Sequence, residues 1–422
     1  MSTLRSTAAN QHTQIAGKSI NYAGAISWFS GQDTEVPMSS TCCRFIHAGD
    51  LHLQQPLGGL DTLPISLRER MISAPHAAAE RVFETAILEN ADFMILAGGI
   101  LDPQRAGPQA LRFLSEQFAI LQEHHVPVYW AGGRCDAPEQ WPSALSLPDN
   151  VMRFTEEHPE TFHVERGGEI LAAIHGSCLD TATPPDYTSD PSAPFNVAIA
   201  RTSSPPASWT PATMDYWALS GQTEQLVWQD DGRINFCGTT QGRSPADNGA
   251  HGCLLIEIDQ HREIRRQLIP TDVVRFQSER IDWSASETLT ELEAKLHERA
   301  EHLKTDSGRP PRIVTWSIDQ EEPNRLPPTT ECLREWVSRL RRDHGEGNSP
   351  LWTAAITFSR SLEIPSEQLQ EQTILGDYLR VLRDDDPRLL PAEPAVFTEF
   401  PRDDRWLVEQ VASLGLDRLR AQ

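Results

Sequence analysis

Apolar residues along this chain fall into two alternating periods. Phe45–Ala48, Phe93–Ala97 and Val126–Ala131 are short continuous apolar runs, the pattern of strands buried on both faces. Between them, Ser66–Asn90 and Leu111–His124 repeat at helical spacing, with Leu67, Met71, Val82, Phe83, Ala86 and Ile87 on one face of the first. Strand, helix, strand, helix, strand predicts a parallel sheet with right-handed crossovers. From Met152 the pattern changes to short strands at 162–165, 170–174, 196–200, 216–219, 225–228, 234–237, 253–258 and 264–269, broken by a Pro- and Ser-rich loop at 181–194. These are read as a second sheet. Past residues 271–278 alternation resumes: helix 289–303, strand 312–318, helix 331–342, strand 352–359, helix 374–382 and a final amphipathic helix 404–421 carrying Trp406, Leu407, Val411, Leu414 and Leu416.

That pattern divides the chain into residues 42–272, a smaller α/β unit at 273–400 and a C-terminal helix at 401–422. Residues 1–41 are polar and aperiodic, and "YAGAISWF" is too short for a signal-peptide core. They are read as a disordered tail or a mis-assigned extension, with translation starting at Met38. No run of about 20 apolar residues is present to form a membrane helix. The seven cysteines are odd in number and lack Cys-x-x-Cys spacing, which suits a reducing cytoplasm better than a disulfide framework.

The net charge of −23 argues against tight independent binding to duplex DNA, where phosphate contacts dominate affinity. A local exception is "LREWVSRLRRDH", which sets Arg334, Arg339, Arg341 and Arg342 on one predicted helix, either as a basic patch or as a solvated face.

The chemistry of the chain is concentrated after the first strand. Asp50 and His52 stand two apart on the loop leaving it, a hard oxygen and a borderline nitrogen suited to manganese, iron or zinc. Five collinear phrases share this character of strand followed by polar loop, "RFIHAGDLHLQQPLGGL", "ADFMILAGGILD", "VPVYWAGGRCDAP", "FNVAIARTSS" and "DYWALSGQTEQ", and a sixth, "GTTQGRSPADNGAHGCLLIEID", is a polar loop that runs into a strand. Together they resemble the calcineurin-like metallophosphoesterases, in the branch of bacterial double-strand-break repair nuclease subunits (SbcD and YhaO type). The resemblance implies a four-layer α/β/β/α sandwich followed by a small capping α/β domain. It also implies two cations that clamp a phosphodiester and activate water.

Position by position, the resemblance retains only Asp50 and His52 of the metal ligands. Gly99 stands at the bridging Asp, Arg134 at the Asn ligand, Cys135 at the catalytic His and Arg201 at the next His ligand, while Gly221 and Thr223 stand at the last two. Asp102 and Asp136 are retained as outer residues. One Asp and one His are too few donors for two divalent ions, and arginine is permanently charged. The reading is therefore a catalytically degenerate relative with no cofactor, serving a structural or regulatory role in a repair complex. Its expected partners are an SMC-like ATPase and a second copy of itself, and its contact with DNA is weak or indirect. Two alternatives are an active Mn2+-dependent phosphodiesterase or DNA exonuclease with a divergent ligand set, and a phosphate or nucleotide sensor built on Arg134 and Arg201. A simpler role for Arg134 and Arg201 is pairing with Asp50 and Asp136 to neutralise carboxylates left in the pocket. Cys135 could serve as an activated nucleophile, or join Asp50, His52 and Asp136 around a single zinc.

Overall fold

The computed structural model describes residues 41–359, apart from 61–62, 134–135, 138–140, 142–146, 156–157, 179–182, 207, 210–213, 229–231, 305–308, 322–327 and 348–349. The N-terminal extension, the helices expected at 374–382 and 404–421, and both Arg134 and Cys135 lie outside the described residues.

The described residues open with β1 (Thr41–Ala48), α1 (Ile65–Leu88), β2 (Phe93–Leu96), α2 (Pro108–Glu123), β3 (Val128–Trp130) and β4 (Val151–Arg153). β1 to β4 pair in parallel, as the apolar runs predict. Their side chains alternate between two cores. Ile46, Ala48, Met94, Leu96 and Val128 pack under α1 and α2, while Phe45, Phe93 and Ile95 face a second sheet.

That second sheet contains β5 (Glu160–Arg166), β6 (Glu169–Gly176), β7 (Phe195–Arg201), β8 (Tyr216–Ser220), β9 (Leu226–Val227) and β10 (Ile234–Phe236), in the order β5-β6-β7-β8-β10-β9. Val197, Ile199, Tyr216 and Ala218 complete the inter-sheet core. On the outer face, Trp217 and Leu219 are covered by Tyr187, Trp209 and Met214 from connecting segments. The result is a mixed α/β sandwich of the metallophosphoesterase type.

β11 (Gly252–Asp259) and β12 (Ile264–Pro270) differ from the expectation. They return to the first sheet, where β11 pairs antiparallel with β1 and β12 forms the edge. Their local pattern cannot specify which sheet they join, because the pairing partner lies some two hundred residues upstream. A third sheet follows: β13 (Arg275–Trp283), α3 (Leu289–Lys304), β14 (Arg312–Gln320), α4 (Thr330–His344) and β15 (Leu351–Ser359), all strands parallel in the order β13-β14-β15. Two strands were expected there, and β13 is the addition. No helix of the described residues is long and apolar enough to cross a membrane.

The arginines of α4 do not form an open basic patch. Arg339 pairs with Glu293 at 2.9 Å, Arg334 with Glu331 at 3.7 Å and Arg342 with Asp343 at 3.4 Å. Arg341 donates to the carbonyls of Thr353 and Ala354 and lies over the Trp352 ring.

Candidate functional site

The parallel strands β1, β2, β3, β7 and β8 all run toward one end of the sandwich, so the loops leaving them meet there, where open α/β sheets carry their sites. The loop after β1 is bound to the loop after β2 by three backbone hydrogen bonds. Asp50 N–H donates to Gly98 O (2.8 Å), His52 N–H to Gly99 O (2.9 Å) and Leu53 N–H to Ile100 O (3.1 Å). Two residues in this loop occupy the left-handed region, Asp50 at φ 49° and His52 at φ 46°. Asp and His tolerate that region better than most side chains, yet each still carries strain.

Asp50 is buried, 3% exposed, and both carboxylate oxygens are engaged. Arg201 Nη1, from the end of β7, donates to Oδ1. His52 Nε2 lies 3.3 Å from the same oxygen. Oδ2 accepts from Gly221 N–H at 2.7 Å. Burial pushes the Asp50 carboxyl up, but the Arg201 guanidinium and His52 outweigh it and hold the group down to about 2.

Arg201 lies in a slot formed by glycines. A Cβ on Gly98 would come within 3.3 Å of its Cδ, and one on Gly133 within 2.5 Å. A Cβ on Gly99 would run into Asp50 Oδ1 and come within 2.9 Å of Arg201 Nη1. Ser220, closing β8, donates to Ala97 O and lies 3.4 Å from Arg201 Nη1. Position 99, where the resemblance puts a bridging carboxylate, is thus bare, and the ion pair occupies the volume its side chain would need.

Asp136 ties the loops after β2 and β3 together. Its Oδ1 accepts from Gly133 N–H at 2.6 Å and its Oδ2 from Ile100 N–H at 2.9 Å. Burial pushes its carboxyl upward, against the pull of those N–H groups and Arg201. Asp102 serves its own turn, accepting from Gln104 N–H at 2.9 Å. Thr223 contributes a backbone carbonyl to Thr239 N–H (3.0 Å). Asp50, His52, Gly99, Asp136, Arg201 and Gly221 are therefore together, while Asp102 and Thr223 act locally.

Reasoning from sequence missed Gly98, Gly133 and Ser220, which position the arginine. The paired glycines at 98–99 and 132–133 were the available signal. It also missed His47, fully buried one residue before the end of β1, which meets Tyr216 Oη at 3.0 Å through Nδ1. Burial lowers its pKa to about 3, so His47 is a neutral core histidine. Cys237, whose sulfur would lie 3.2 Å from a Cβ on Gly49, is likewise buried, and its thiol is pushed well up by burial.

These residues do not fit two divalent ions. Asp50 has no oxygen facing an open centre, Gly99 and Gly221 have no side chain to offer, and a guanidinium occupies the middle of the site. A cleft of about 500 Å³, lined by Cys42, Arg166, Ile170, Phe195 and Arg262, lies at the opposite strand ends.

No family model matches the chain. Among curated proteins it is similar to a protein of Bacillus subtilis (strain 168) named an uncharacterized metallophosphoesterase, YhaO. The two are 25% identical over 333 residues, covering 74% of this chain and 80% of the relative. That similarity, with the α/β sandwich, supports a phosphoesterase-fold protein of the metallophosphoesterase superfamily.

Proposed function

We propose that this chain is a catalytically degenerate relative of the repair-nuclease subunits, in which an internal ion pair takes the place of the binuclear metal centre. It serves a DNA-repair complex as a structural or regulatory subunit, with an SMC-like ATPase as the partner. The observation that carries this reading is Arg201 seated on Asp50 in a slot that only glycine at positions 98, 99 and 133 leaves open. A guanidinium there supplies the positive charge that buried Asp50 needs, and it does so without a bound cation. The link to repair rests on the six collinear phrases that resemble the SbcD branch.

Arg201 already donates to Asp50, which weighs against its use as a phosphate or nucleotide sensor.

The test is hydrolysis of bis(p-nitrophenyl) phosphate and of a short DNA strand in millimolar manganese. Expected is no rate above the buffer blank. Turnover that disappears in Asp50→Ala would overturn the proposal in favour of an active enzyme with a divergent site. Co-purification of the chain with the SMC-like ATPase, retained in Asp50→Ala, is the expected result for a non-catalytic subunit.

A further inference from the structure

The seam between α3 and α4 carries a second group of titratable side chains, far in sequence from the Asp50 loop. Leu292, Leu296, Ala300 and Leu303 bury one face of α3, and Trp336, Leu340 and His344 bury one face of α4. His297 follows Leu296 at the edge of that face. His344, the last residue of α4, reaches toward it, so that His297 Nδ1 and His344 Nε2 stand 3.1 Å apart. The His344 side chain is only 2% exposed, and its other nitrogen, Nδ1, makes no hydrogen bond. Glu301, one helical turn beyond His297 on α3, has its Oε1 3.3 Å from that nitrogen. Asp343 Oδ2 lies 3.9 Å from His297 Nδ1.

Two imidazole nitrogens facing each other at this distance suit a shared proton or a shared metal ion. With metal–nitrogen bonds of about 2.0–2.1 Å, two nitrogens on one ion are about 2.9 Å apart at a right angle and about 3.4 Å apart in a tetrahedron. The observed separation falls between these values. The negative charge of Glu301, 3.3 Å from the outer nitrogen of His344, favours the tautomer with the proton on that nitrogen and the lone pair turned inward. Burial lowers the His344 pKa, with His297 adding to the effect and Glu301 opposing it. Neutral imidazole is the form that binds metal, and burial favours that form at His344.

We propose that His297 and His344 form a two-nitrogen chelate for a divalent late first-row metal ion, clasping α3 to α4. Among the described residues no third His, Cys, Asp or Glu completes a ligand group there. Water fills the remaining coordination positions. Binding needs no net loss of a proton: the proton on His297 Nδ1 moves to Nε2 of the same ring, and each facing lone pair goes to the metal. For such a nitrogen pair, affinity rises from zinc or nickel to copper(II). This chelate is independent of the Asp50–Arg201 site.

The experiment titrates the full chain with copper(II) and with zinc separately. Copper is followed by electron paramagnetic resonance and by quenching of tryptophan fluorescence, to which Trp336 on α4 contributes. Expected is one tight equivalent of copper with nitrogen hyperfine structure, and weaker zinc. His297→Ala, at a partly exposed position, should weaken the first copper equivalent by roughly tenfold or more. His344→Gln, which retains a polar side chain of similar reach, should do the same. First-equivalent binding unchanged in His297→Ala would overturn the proposal. So would tight binding abolished by His52→Ala alone, which would place the ion at the other site.

Discussion

Asp50 carries a full charge while only 3% exposed, and the guanidinium of Arg201 is what permits it. Removing one member of a buried pair leaves the other uncompensated, so Arg201→Ala should cost about 3 kcal/mol at neutral pH in urea denaturation. The pH dependence follows from the lowered carboxyl. Asp50 ionises at about 2 in the fold against 3.8 for the ordinary group. Its pairing therefore contributes fully above about pH 4 and is lost as pH falls through 2. The difference between parent and Arg201→Ala should shrink over that window, and a difference that grows instead would contradict the assignment. Gly99 tests the same pair sterically. Gly99→Ala drives a methyl group into Asp50 Oδ1 at a φ of 68°, for an expected loss of about 1–3 kcal/mol. In an Asp50→Ala background the collision with Oδ1 is gone, while the backbone strain and the close approaches to Arg201 Nη1 and to the Cα of residue 50 persist. The two substitutions should then be non-additive by roughly 0.5 kcal/mol or more in a double-mutant cycle.

Elements differ in how clearly their sequences declare them. β2 is legible because all four of its residues, Phe93 to Leu96, are buried, which yields an unbroken apolar run. β13 was not, because only Phe276, Glu279, Ile281 and Trp283 are buried along Arg275–Trp283, one of them charged and out of step with the first, and the rest are polar or charged, so it resembled a linker. β4 has three residues, all half-buried, too few to set a period. The site divides the same way. Asp50, His52 and the substituted positions could be placed from phrases in the sequence. The slot around Arg201 could not, because it consists of missing side chains, and glycine leaves no periodic trace. β13 also anchors the third sheet to the sandwich. Phe276, fully buried, shares a cluster with Leu67, Met71 and Ala74 of α1 and with Ile313 of β14. Arg81 of α1 adds hydrogen bonds to the Thr271 and Asp272 carbonyls. Phe276→Ala should cost about 3–5 kcal/mol in urea unfolding and expose the 271–275 junction to limited proteolysis. Cleavage no faster than in the parent would show that the junction is held elsewhere.

For the whole molecule, charge decides how it meets nucleic acid. With 60 acidic and 37 basic side chains, it presents an overall negative field to phosphate. The arginine-rich helix α4 does not reverse this locally. Arg339 is paired across the α3–α4 seam to Glu293, Arg334 and Arg342 have acidic neighbours, and Arg341 is turned to the Thr353 and Ala354 carbonyls and the Trp352 ring. At the end of the sandwich where loops converge, Arg201 is matched to Asp50, so its charge is also balanced from within. In the proposed reading no bound cations add to that surface, and the pair balances its own charge. Non-specific binding of the free chain to a short duplex should therefore be weaker than the roughly 10⁻⁴–10⁻⁶ M typical at physiological salt, with little change as salt is raised. Fluorescence anisotropy on labelled duplex measures both quantities. A steep loss of affinity with salt would reveal several phosphate contacts and a basic surface that these pairings do not leave open. A shallow slope with weak binding would agree with the proposed role, in which DNA contact falls to another subunit.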